Sequence, residues 1–171
     1  MEQGFNQTPR ANRVHIGIFG RRNAGKSSLI NAITGQTVSV VSEIRGTTTD
    51  TVEKAMELLP IGPVVLVDTP GMDDAGALGN LRIQQTKRAL SHTDLAILAV
   101  DAAVGMTAVE EEIAAQIQSK QVPFLLVWNK SDLLLAEKQI PEGAVLVSAK
   151  TGAGIPQLKQ RLGELFQQQN H

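Results

Sequence analysis

Gly20-Arg21-Arg22-Asn23-Ala24-Gly25-Lys26-Ser27 joins an apolar run, Val14–Phe19, to a helical pattern, Lys26–Thr34. The stretch has the form G-x-x-x-x-G-K-S between a strand and a helix, the context in which a phosphate-binding loop works. So tight a loop turns successive backbone N–H groups inward around a phosphate. Gly20 and Gly25 supply conformations and a close approach that a Cβ would block. The start of the following helix adds partial positive charge. Lys26 is expected to reach the β- and γ-phosphates of a nucleotide, and the Ser27 hydroxyl is a hard oxygen ligand for Mg²⁺. Ala24 and Ser28 line the same loop.

Outward from the loop, further short apolar runs follow at Val64–Val67, Leu95–Val100, Val122–Trp128 and Ala144–Val147. Each is almost continuously apolar, as strands buried on both faces of a parallel sheet are. Val52–Leu58 alternates more, with Glu53, Lys54 and Glu57 read as its wet side, and suits an edge strand. Helical patterns separate the runs. Lys26–Thr34 ends at Gly35, a good C-cap. Leu81–Leu90 is the second. Thr107-Ala108-Val109-Glu110 reads as a capping box opening the third. Leu133–Lys138 reads as a short fourth, and Ile155-Pro156 opens the fifth, with Leu158, Leu162, Leu165 and Phe166 on one face. The alternation predicts a three-layer α/β domain with a mostly parallel six-stranded sheet. Residues 13–166 form that domain; 1–12 and 167–171 read as a polar N-terminal tail and a C-terminal tail or the start of a linker.

Asn129-Lys130-Ser131-Asp132 follows the Val122–Trp128 run, about a hundred residues after the phosphate loop. At the C-terminal end of a strand it shares the edge where open α/β sheets bind ligands. The Asp132 carboxylate can accept both the N1–H and the 2-amino group of guanine. Adenine offers neither and would leave the carboxylate unpaired. Asn129 is expected at the guanine N7/O6 edge, and the Lys130 stem along the ring plane. Asp68-Thr69-Pro70-Gly71 ends another buried run; Asp68 would hold Mg²⁺ through a water and the Gly71 N–H would meet the γ-phosphate. Ser148-Ala149-Lys150 follows the last run, with the Ala149 N–H aimed at the guanine O6. Gly46-Thr47-Thr48-Thr49-Asp50 lies where a loop closes over the nucleotide, unless it is simply a β-branched entry into the edge strand. These motifs, in this order, predict a GTP/GDP site with Mg²⁺.

With those residues in hand, the stretch from about Val14 to Phe166 resembles the translation-factor-like GTPases of the MnmE/Era/Der group. GRRNAGKSSLINAITGQ, GTTTD, DTPG, NKSD and SAK carry the likeness. The resemblance implies that Thr48, third in its motif, is the ligand threonine for Mg²⁺ and the γ-phosphate. It also implies a K⁺ site, with Asn23 as a ligand beside backbone carbonyls of Ser42–Gly46; the other reading is that Asn23 merely tolerates a tight loop. Lys26, Asn23 and Thr48 are thus the expected catalytic residues. Within the group the chain looks most like the FeFe-hydrogenase maturation GTPases (HydF), on GRRNAGKSSLINA and on KAMELLPIGPVVLVDTPGMDD. That likeness implies partners in a dimerisation region and an iron–sulfur cluster domain of a larger protein, and beyond them a hydrogenase or other maturases. The alternatives are a ribosome- or tRNA-modification-associated GTPase, and a GTP-binding switch with negligible turnover. The last arises because Met72 stands where Ras-like GTPases carry the Gln that orients water. Asn80 matches the position of an acidic residue credited with that task in MnmE, and Asp73 and Asp74 are candidate substitutes.

The composition fits. The 171 residues are 42% hydrophobic, enough for a proper core. A net charge of −1 gives no electrostatic reason to expect nucleic acid as a partner. With no cysteine there is no thiolate metal site and no catalytic thiol. No run approaches the roughly 18 apolar residues of a membrane span, and a cytoplasmic location is expected.

Overall fold

The computed structural model describes residues 13–21, 24–35, 52–59, 61–69, 79–133 and 140–169. Asn23, Ser42–Asp50, Gly71, Met72, Asp73, Asp74 and the side chain of Asn80 lie outside the described residues, as does most of the short helix read at 133–138.

Six strands form one sheet in the order β2-β3-β1-β4-β5-β6. They are β1 (Val14–Gly20), β2 (Val52–Leu58), β3 (Gly62–Asp68), β4 (Leu95–Asp101), β5 (Phe124–Asn129) and β6 (Val145–Leu146). All neighbours run parallel except the β2–β3 hairpin. The α-helices among the described residues are α1 (Lys26–Thr34), α2 (Gly79–Leu90), α3 (Ala108–Ser119) and α4 (Ile155–Gln169).

The apolar runs explain the layering. Ile16, Ile18, Leu66, Ile97 and Val127 pack against Leu29, Ile30 and Ile33 of α1 and Leu158 and Leu162 of α4. Their neighbours Phe19, Ala96 and Leu98 turn to the other face and meet Leu90, Ile113 and Ile117 of α2 and α3. Both faces are dry, so period-two alternation vanishes from the central strands. The register carries the C-terminal ends of the parallel strands to one edge: Gly20 lies beside Ala99, and Asp101 beside Asn129.

Several boundaries and one strand face differ from the sequence reading. Val122 closes α3 instead of opening β5. Gln121, at φ 60°, donates to the Gln118 carbonyl and Val122 donates to that of Ile117, a left-handed helix stop, and Pro123 follows. Helix α4 runs on through Gln169, so three residues read as tail are helical. At Leu133 the backbone closes a 3-10 turn, Ser131–Leu133. Lys54 is not on a wet face. It is 7% exposed and stands with Met56 and Leu58 on the side of β2 facing α1, because a strand alternates every residue.

Candidate nucleotide site

Loops at the C-terminal edge of the sheet converge. Helix α1 starts at Gly25, φ 81°, with no side-chain cap, so its first amides have no intrahelical acceptor. Glycine is required at both ends of the loop. A Cβ on Gly25 would sit 2.5 Å from Asn129 Nδ2, and one on Gly20 would sit 2.5 Å from the Ala99 carbonyl oxygen. Lys26 is 5% exposed and folds back over the loop, donating to the carbonyls of Gly20 at 3.2 Å and Arg21 at 3.1 Å.

Ser27 and Asp68, 41 positions apart, meet directly: Ser27 Oγ donates to Asp68 Oδ2 at 2.7 Å. The other carboxylate oxygen, Oδ1, is buried without a hydrogen-bond partner. Burial pushes the Asp68 carboxyl above its ordinary value, while the Ser27 hydrogen bond and the Lys26 and Lys54 ammoniums pull it down. An orphaned carboxylate oxygen beside a hydroxyl, at the start of a phosphate-binding helix, is the donor chemistry a Mg²⁺ ion on a nucleotide needs. Among the described residues no group of three or more His, Cys, Asp or Glu could hold a metal. The Ser27 hydroxyl and Asp68 carboxylate are hard oxygen donors that suit a metal sharing its other positions with phosphate and water. Bound there, Mg²⁺ would neutralise charge on the β- and γ-phosphates, with Ser27 as a ligand and Asp68 acting through a water.

The base-side loops are tied to the phosphate loop. The Asn129 amide, 2% exposed, donates from Nδ2 to the Ala24 carbonyl at 2.9 Å and accepts the Ala149 N–H on Oδ1 at 3.0 Å. Asn129 thereby ties the Ala24–Gly25 turn to the Ser148–Lys150 turn. Lys130 adopts φ 67°, and its Cε lies 3.9 Å from the place a Gly25 Cβ would take. Its ammonium pairs with Asp101 Oδ2 at 3.2 Å, and Asp101 is itself fixed by the Ala103 N–H at 2.9 Å. Asp132 is exposed and accepts the Ser148 hydroxyl on one oxygen at 2.9 Å. An open groove of about 590 Å³ runs between α1 and this turn, lined by Ser28, Asn31, Ala32, Ala149, Lys150 and Ile155.

Of the expected residues, the structure brings together Gly20, Ala24, Gly25, Lys26, Ser27, Ser28, Asp68, Asn129, Lys130, Asp132, Ser148, Ala149 and Lys150. Asn23, Thr48 and Gly71 are outside the described residues. Sequence reading missed Asp101, whose only signal was its place at the end of β4, and the Lys54–Asn31 pair, which links residues far apart in the chain.

A six-stranded sheet with a phosphate loop, a Ser–Asp pair and an N-K-x-D turn along one edge defines a P-loop GTPase domain. Comparison with known proteins places it further: residues 15–130 match the model of the 50S ribosome-binding GTPase family, and the chain belongs to that family. It is 39% identical over 162 residues to the tRNA modification GTPase MnmE of Synechococcus sp. (strain JA-3-3Ab), covering 91% of this chain and 34% of that protein. The chain thus spans about a third of the length of such relatives. Among solved structures it resembles Aquifex aeolicus Era bound to GDP.AlF4- (TM-score 0.70, 27% identity, 88% of this chain and 56% of that one). The G domain of the T. maritima FeoB iron transporter shares the fold (TM-score 0.66, 23% identity, 90% of this chain and 99% of that one). Among the described residues no helix is long and apolar enough to cross a membrane.

Proposed function

We propose that this domain binds GTP with Mg²⁺, hydrolyses it slowly to GDP and phosphate, and uses the difference to switch a neighbouring part of a larger protein. One observation carries the reading. Asn129 ties the phosphate loop to the Ser148–Lys150 turn, so base and phosphate recognition form one unit beside the Ser27–Asp68 pair. Lys26 clamps the transferring phosphate, Ser27 and Thr48 are ligands of Mg²⁺, Asp68 acts on it through water, and Asp132 selects guanine. Asp132→Asn should exchange a guanine preference for a xanthine preference, because an amide donates where the carboxylate accepted. Wild-type binding of ATP as tight as that of GTP would overturn the assignment.

K⁺ stimulation belongs to the same proposal, on the motif containing Asn23. Hydrolysis should run faster in KCl than in NaCl at matched ionic strength, and Asn23→Ala should remove the difference. Equal wild-type rates in the two salts would end that part.

The relatives named as tRNA modification GTPases support a tRNA- or ribosome-linked role for the whole protein. A second reading, hydrogenase maturation, rests on the resemblance through GRRNAGKSSLINA, with its paired Arg21 and Arg22, and through the stretch from Lys54 to Asp74. The full reading frame separates them: downstream cysteines and a histidine able to hold an iron–sulfur cluster support the second, and their absence removes it.

A further inference from the structure

Lys54 is a buried cation that nucleotide chemistry does not call for. Its ammonium donates to Asn31 Oδ1 on α1. Asn31 lies one turn beyond Ser27, on the same helix face, and Ser27 Oγ holds Asp68 at 2.7 Å. On the hairpin, Lys54 pairs in register with Leu66, two residues before Asp68 and on the same side of the sheet. Two rungs therefore join α1 to β2 and β3: serine to aspartate at the helix start, and asparagine to lysine one turn below. The second rung sets Lys54, 7% exposed, diagonal to Asp68 on the neighbouring strand and on the same face of the sheet.

We propose that Lys54 is a built-in counter-cation for Asp68 that loosens the hold on Mg²⁺ and partly stands in for the ion when it is absent. The proposal rests on Asp68 being the acid on the Mg²⁺ side of the nucleotide. A buried ammonium is poorly screened, so it repels a dication drawn to the same carboxylate. The downward pull of Lys54 on the Asp68 carboxyl agrees with that proximity. Lys54 touches neither nucleotide nor metal in this account; it is a positioning residue acting through Asp68. A lysine that merely packed its aliphatic stem would affect stability and leave Mg²⁺ affinity alone.

The test is release of a fluorescent GDP analogue from the whole chain as free Mg²⁺ is varied, which requires no turnover. Lys54→Met removes the charge. Asn31→Asp keeps the bridge and neutralises the ammonium, and it carries the test if Lys54→Met does not fold. In each folded variant the Mg²⁺ concentration for half-maximal retention should fall at least about threefold. Lys54→Arg should stay within about twofold of wild type. In EDTA, Lys54→Met should release GDP faster than wild type. An unchanged or raised half-point in a folded neutralised variant would overturn the proposal. Wild-type release that ignores Mg²⁺ would instead remove the magnesium reading of Asp68, and the proposal with it.

Discussion

Single side chains in this domain carry sharply different kinds of information. The places of Lys26, Ser27, Asp68 and Asp132 at the sheet edge were legible from the sequence because short motifs at strand ends specify them. The bracing part of Asn129 was not legible: its partners Ala24 and Ala149 lie 105 and 20 positions away, and no local pattern shows that its amide joins the two loops. Lys54 was misplaced because its neighbours' polarity hid the strand's true alternation. Two predictions belong at this scale. Lys26→Ala and Ser27→Ala should each abolish Mg²⁺-dependent hydrolysis while far-UV circular dichroism stays native. Losing a charge clamp on a transferring phosphoryl costs about 3–4 kcal/mol or more, so unchanged turnover at saturating nucleotide would remove the role. Asp68→Asn should raise the Tm of the nucleotide-free protein at pH 7. Burial raises the folded carboxyl's pKa, so the ionised form disfavours the folded state once pH rises through that value, and an amide is free of the penalty. The gain should shrink as pH falls below the ordinary carboxylate range, where both side chains are neutral. A gap that widens on acidification would contradict the sign.

Elements were easier to read where caps marked them. Helix α1 has its expected bounds, set by Gly25 and by Gly35 at φ 75°. The capping box of α3 is formed: Val109 N–H donates to Thr107 Oγ1 at 3.3 Å, and Thr107 N–H donates to Glu110 Oε1 at 2.8 Å. Thr107→Ala should therefore cost about 1 kcal/mol in urea unfolding. The stop of α3 was missed because Gln121, a residue that rarely adopts positive φ, performs it. The start of α4 was found through Pro156, but the tight seat before it was not. Gly154 adopts φ 79°, and a Cβ there would lie 2.1 Å from the Leu146 carbonyl oxygen. Gly154→Ala should destabilise by at least ~1–3 kcal/mol. Because Gly154 lies just beyond the Ser148–Lys150 turn, guanine affinity should fall with it. A neutral effect on unfolding would show that the seat yields.

The whole molecule was legible in class because five buried runs alternating with helices leave few topologies. The order β2-β3-β1-β4-β5-β6 was not. It depends on which dry faces meet, and central strands apolar on both faces look alike. That order gives the site its unity: it places Gly20 between the Asp68 and Asp101 strands and brings Asn129 within reach of the phosphate loop. Single-turnover hydrolysis by this chain in Mg²⁺, with GTP and ATP compared, tests the account most directly. It predicts GTP cleavage well below the ~1–100 s⁻¹ typical of kinases, and no cleavage of ATP. Equal cleavage of both nucleotides, or none of GTP in Mg²⁺ and K⁺, would contradict it.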